Sequence, residues 1–166
     1  MKFRRVGHRA DLGNVMENQR KNIRLPRESY QIPSQIFSIT ICTPNRRSLF
    51  QNGKYGELVT SSLAAGPFGK QTERFAFCLM PDHLHLLLAP KESDLIDLIN
   101  RWKSFSANLV RRNGLIGPCW QRGFYDHALR KEEDIRNTAE YIVNNPVRSG
   151  LVKDWGEYPF SWHRWM

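Results

Sequence analysis

The sequence predicts an α+β domain, an antiparallel sheet carrying helices on one face. Apolar and polar residues alternate with period two over residues 36–42, as on a half-buried strand. Apolar residues recur at helical spacing between residues 95 and 109. Strand-like and helix-like segments interleave along the chain.

"SQIFSITICTP" sets Ile36, Ser38, Thr40 and Cys42 on one face and Phe37, Ile39 and Ile41 on the other. This is a strand, ended by Pro44-Asn45. "NGKYGELVTSSLAAGP" reads as a helix with a thin stripe of Leu58, Leu63 and Ala64, stopped by Gly66-Pro67. "RFAFCLM" and "HLHLLLAP" are two strands joined around Pro81-Asp82. "SDLIDLINRWKSFSANLVRRNG" is the clearest helix. Ser93 can cap it, Leu95, Leu98, Ile99, Trp102, Phe105 and Leu109 form its stripe, and Gly114 ends it. "GFYDHALR" is a short strand. "KEEDIRNTAEYIVNN" is an amphipathic helix with acids in its first turn, closed by Pro146. An irregular, Trp-rich tail follows. The order β-α-β-β-α-β matches a ferredoxin-like sheet, with one more helix after it.

The chain has 166 residues, of which 40% are hydrophobic, enough for one domain with a real core. Residues 35–166 are read as that domain. Residues 1–34 hold eight Lys/Arg against three Asp/Glu and are read as a basic arm able to lie along phosphates. Cys42, Cys78 and Cys119 are odd in number and widely spaced, which suggests reduced thiols and neither a disulfide framework nor a zinc ribbon. No apolar run is long enough to span a bilayer, so no membrane partner is expected. The N-terminus lacks the apolar centre of a signal peptide, and a cytoplasmic location is expected. Lys and Arg number 25 against 16 Asp and Glu, a net charge of +9. Such a surface attracts polyanions, of which nucleic acid is the commonest in a cytoplasm.

"MPDHLHLLLAP" places two histidines one residue apart on a strand. Side chains alternate, so His83, His85 and Leu87 share a face while Leu84, Leu86 and Leu88 pack the other. The two imidazoles point the same way, with Cα atoms about 6.6 Å apart. Two neutral imidazoles so placed can chelate one divalent cation, given at least one further ligand. The alternative is a pair of half-buried histidines bonded to backbone or solvent. On the later helix, Ile135, Ala139, Ile142 and Val143 share the apolar face, and Tyr141 lies about 145° from its centre. Asn145 sits one turn above Tyr141 on the same side. The plain alternative is an exposed tyrosine, with Asn145 as a helix stop.

A His-x-His strand followed by a helix-borne tyrosine, in a small basic chain, resembles the single-tyrosine HUH-endonuclease transposases. The resemblance is closest to the REP-associated tyrosine transposases. It is carried by "TPNRRSLF" (43–50), "MPDHLHLLLAP" (80–90), "WQRGFYDHALR" (120–130), "EYIVNNPVRSGLV" (140–152) and "YPFSWHRW" (158–165), which occur in the family's order. The resemblance implies a divalent metal, Mg²⁺ or Mn²⁺, on His83 and His85. Asn145 would be the third ligand, at a position where simpler insertion-sequence relatives carry glutamine. Tyr141 would be the nucleophile on the C-terminal helix. It would attack single-stranded DNA, leaving a covalent 5′-phosphotyrosine and a free 3′-OH. The DNA target implied is a hairpin, a REP-like palindrome, beside a short unpaired tetranucleotide. Arg46, Arg47, Arg101, Lys103, Trp120, Arg122 and Arg148 are available as cations and stacking platforms. His127 would support the site or touch phosphate. A monomer with its tyrosine in cis is favoured, a dimer being the alternative. The main rival is a domesticated relative that binds hairpin DNA without transposing. Metallo-β-lactamase-like sites lack support because Leu87-Leu88 stand where their Asp-His would be, and amidohydrolase barrels need far more chain.

Overall fold

The computed structural model describes residues 27–32, 34–92, 94–130 and 134–165. Most of the basic arm, Ser93 and the acids at 132 and 133 lie outside the described residues. The elements are β1 (Phe37–Cys42), α1 (Gly53–Ala64), α2 (Gly66–Gln71), β2 (Thr72–Met80), β3 (His83–Pro90), α3 (Leu95–Arg112), β4 (Tyr125–Ala128), α4 (Ile135–Val143), α5 (Asn145–Arg148) and β5 (Ser161–His163).

The strands form one five-stranded sheet in the order β4-β1-β3-β2-β5, each pair antiparallel. The first four reproduce the expected βαββαβ arrangement, with β3 between β1 and β2. Two elements exceed the expectation. Gly66-Pro67 ends α1 and also opens α2: Gly66 takes a φ of 59°, and Pro67 fits a first helical turn that needs no N–H. The Trp-rich tail supplies β5 on the edge of β2, where Trp162 stacks on Phe77.

The sheet is covered on both faces. Helices α1 and α3 pack Val59, Leu63, Leu95, Ile99, Trp102 and Val110 against Phe37, Ile39, Ile41, Leu84, Leu86 and Leu88. Helix α4 lies on the opposite face, with Ala139 and Ile142 against Ala76, Cys78, Met80 and Leu87. The core begins before residue 35: Tyr30 is buried, stacks on Phe37 and donates its hydroxyl to Asp126.

Helix α3 departs from its expected stripe. Asp94 caps it, accepting from the Ile96 and Asp97 N–H groups. Leu95, Leu98, Ile99 and Trp102 are buried as expected, but Phe105 is 46% exposed and Lys103 only 9% exposed. The second half of the helix turns Lys103, Ser106, Ala107 and Val110 inward, toward Trp120 and the loop before β4. All three cysteines are free and buried. Among the described residues, no helix is long and apolar enough to cross a membrane.

Candidate active site

The β2–β3 turn is held from outside. Buried Thr43 donates its N–H to the Asp82 carbonyl at 2.9 Å, and its hydroxyl reaches the carbonyls of Asp82 and Arg47. The Phe50 N–H donates to the Pro81 carbonyl. "TPNRRSLF" is thus a strap on the turn before the histidines. Within it Asn45 and Arg46 take left-handed φ values of 52° and 53°. Such conformations cost non-glycine residues about 1–3 kcal/mol each and persist where surrounding contacts impose them. Here Arg46 donates to Asp82 Oδ2 at 3.3 Å.

The other Asp82 oxygen accepts from His83 Nδ1 at 2.6 Å. A carboxylate only accepts, so a proton sits on His83 Nδ1, and in the neutral imidazole Nε2 carries the lone pair. That lone pair faces His85 Nε2 at 3.0 Å. His85 Nδ1 lies 3.0 Å from the hydroxyl of Thr40, its cross-strand neighbour. A hydroxyl both donates and accepts, so Thr40 serves either tautomer of His85. With its proton on Nε2, His85 donates to His83; with its proton on Nδ1, it turns a second lone pair to the same point. Burial above all, then the nearby His83, Arg46 and Arg148, pushes the His85 imidazole down to about 4, so it is neutral at pH 7.

The two nitrogens fit a divalent cation. Donors 3.0 Å apart match adjacent corners of an octahedron with bonds of about 2.1 Å, the geometry Mg²⁺ demands. Asp82 on His83 and Thr40 on His85 supply the outer hydrogen bonds that metal-binding imidazoles need. Among the described residues no group of three or more His, Cys, Asp or Glu is placed to hold a metal.

The face that carries His83 and His85 also carries α4, capped by Asp134 and anchored through Ala139, Ile142 and Val143. Tyr141 points off that anchor and is 58% exposed. The helix stops at Val143, and Pro146 lies in the first turn of α5. Asn145 donates its Nδ2 to the Ile142 carbonyl at 2.9 Å and the Tyr141 carbonyl at 3.3 Å. Asn144 is the C-cap of α4, Asn145 ties the start of α5 back to its last turn, and Asn145 Oδ1 is the atom that side chain can offer to a cation. Arg148 folds back over Tyr141. Its guanidinium carbon lies 3.9 Å from the ring centroid, and Nη2 donates to the phenol oxygen at 2.7 Å.

Strand β4 extends the same face. Tyr125 pairs with Thr40 and His127 with Ser38, so Tyr125, Thr40 and His85 form a row across three strands. Tyr125 and His127 are exposed. Of the basic residues expected to meet DNA, Arg46, Arg47, Arg101, Arg122 and Arg148 are on the surface. Lys103 and Trp120 are not. The Lys103 ammonium donates to the Gln121 and Gly123 carbonyls, and Trp120 packs on Phe50 and Trp102 while donating to Ser106. Sequence reasoning missed Asp82 and Thr40. Asp82 could have been found, because it adjoins the pair in "PDHLH" and a metal-bound imidazole wants an acceptor on its far nitrogen.

A ferredoxin-like sheet presents converging imidazoles on the face that also carries α4, the helix of Tyr141. Residues 32–145 match the family described as "Transposase IS200 like", and the chain belongs to that family. Within it the likeness is to the REP-associated tyrosine transposases. The protein of that description from Escherichia coli K12 is 30% identical over 136 residues, spanning 81% of each chain. A solved structure of a REP-associated tyrosine transposase bound to a REP hairpin superposes with a TM-score of 0.62 at 28% identity, covering 80% of this chain and 78% of that one.

Proposed function

We propose that this protein cleaves and rejoins single-stranded DNA beside a hairpin, through a covalent 5′-phosphotyrosine at Tyr141. The observation that carries this reading is the 3.0 Å convergence of two Nε2 atoms on the sheet face that bears the tyrosine helix. His83, His85 and Asn145 Oδ1 would hold Mg²⁺ or Mn²⁺. Such an ion, when bound, supplies Lewis-acid stabilisation of the charge that builds on the scissile phosphate.

The chain's own residues do the rest. Asp82 keeps the His83 lone pair directed at the site, and burial keeps His85 neutral. Tyr141 attacks phosphorus, and the bond to the 3′ oxygen breaks. The phenol proton passes to water, and the departing oxygen takes one up as a 3′-OH. The ester bond is exchanged rather than hydrolysed, so the strand can be rejoined without ATP. Affinity rests on cations spread over the surface, such as Arg46, Arg47, Arg101 and Arg122. The hairpin in the related structure supports a hairpin substrate here. Packing of α4 on the sheet of its own chain supports a monomer with the tyrosine in cis.

The test is adduct formation on a hairpin oligonucleotide with a single-stranded flank, read by denaturing gel and peptide mapping. The wild type should form a metal-dependent adduct at Tyr141. Tyr141→Phe should form none, and His83→Ala and His85→Ala should lose cleavage while still binding the hairpin. Hairpin binding without any wild-type adduct would favour the domesticated binding protein instead.

A further inference from the structure

We infer that Arg148 acts on the nucleophile and not on the DNA: its guanidinium positions the Tyr141 phenol for attack. The inference rests on Tyr141 being the nucleophile. An exposed tyrosine at the end of a helix is free to change rotamer, and among the described residues this ring is not part of the core cluster beneath α4. Arg148 holds it twice, by stacking at 3.9 Å and by donating to the oxygen at 2.7 Å.

The backbone is built for this contact. On an unbroken helix Arg148 would stand about 10 Å further along the axis, two turns beyond Tyr141. Instead α4 ends at Val143 and α5 restarts at Asn145. Asn145 pins the break by bonding back to the carbonyls of Tyr141 and Ile142. The restart returns Arg148 to the tyrosine.

A guanidinium has five donors, no acceptor and a permanent charge, so it is not the base that removes the phenol proton. It occupies one side of the phenol oxygen and leaves the other to meet phosphorus. As the O–P bond forms and the P–O3′ bond breaks, its remaining N–H groups stay beside the new phosphotyrosine. Lysine would keep the charge but lose the planar stack and fork.

A phosphate-contacting arginine and a positioning arginine give opposite patterns. The full-length chain and its Arg148→Ala and Arg148→Lys variants are assayed for hairpin affinity at several salt concentrations. Single-turnover adduct formation is then measured at saturating DNA. Positioning predicts affinity within about twofold of wild type and an unchanged salt slope. It predicts an adduct rate about 100-fold lower in Arg148→Ala, the usual scale of a misplaced reacting group. Part of that rate should return in Arg148→Lys, and part on adding ethylguanidine to Arg148→Ala. A salt slope reduced by about one, with the saturated rate intact, would assign Arg148 to phosphate and overturn the inference. Should Arg148→Ala fold poorly, Arg148→Lys decides on the same two measurements. A wild-type adduct at another residue, or no adduct, removes the Tyr141 assignment and this inference with it. An adduct at Tyr141 with an unaltered Arg148→Ala rate removes this inference alone.

Discussion

Asp82→Asn is the most informative single change at the candidate site. The carboxylate holds His83 Nδ1 at 2.6 Å and thereby keeps the proton off Nε2. A carboxamide has nearly the same shape but can donate as well as accept. Turned with its nitrogen toward His83, it would place the proton on Nε2, which faces His85 at 3.0 Å and so blocks the cation's position. The turn itself should survive, because Thr43 binds the Asp82 backbone carbonyl and not the carboxylate. The exposed partner lost, Arg46, contributes at most about 1 kcal/mol. Loss of such an outer hydrogen bond costs about 10–100-fold in metal affinity, or about 1.4–2.7 kcal/mol. The assay is Mn²⁺ binding by calorimetry, with adduct formation followed across a metal titration. Asp82→Asn should shift both midpoints upward by that factor, and saturating metal should restore most of the rate. An unchanged midpoint would refute the reasoning, as would a lost rate that no metal concentration restores.

Acidification should destabilise the metal-free protein through His85. The unfolded chain takes up this proton as pH falls below about 6.5, whereas the folded form resists to about 4. The stabilisation, about 3 kcal/mol at most, is therefore present above pH 6.5 and lost between about 6.5 and 4. Denaturant unfolding in chelator should show that slope, and His85→Gln should flatten it. Lys103→Met should lower stability by about 2 kcal/mol, because two backbone carbonyls lose their donor, while the salt slope of hairpin binding stays unchanged; a reduced slope would return Lys103 to the DNA surface. Tyr125→Phe keeps its ring on the row with Thr40 and His85, and adduct formation should persist within a few-fold; an abolished adduct would point to Tyr125 as the nucleophile.

The sheet and its two long helices were legible because alternation and helical spacing report burial directly. The histidine pair was legible too, since strand geometry alone sends both rings one way. Other features were not. Gly66-Pro67 carries the same letters whether a helix stops or a new one starts, so α2 was hidden. Strand β5 is three residues long and exists because the edge of β2 is there to pair with it. Lys103 and Arg148 look like surface cations in any window of sequence. The loop carbonyls that take up Lys103, and the helix break that turns Arg148 onto Tyr141, are properties of the folded chain. Thr40 belongs with them, because its partnership with His85 is a matter of cross-strand register.

Strand β3 is shared by two layers with different duties. Leu84, Leu86 and Leu88 look into the large core under α1 and α3, while His83 and His85 look toward the tyrosine helix. A saturation library across residues 83–86, sorted separately for abundance and for DNA cleavage, should therefore keep a two-beat rhythm. Odd positions 83 and 85 would tolerate replacement in the abundance sort and fail in the cleavage sort, and even positions would fail in both. Selection can thus retune the chemistry of this strand at residues 83 and 85, while the leucines one residue away keep the fold in place.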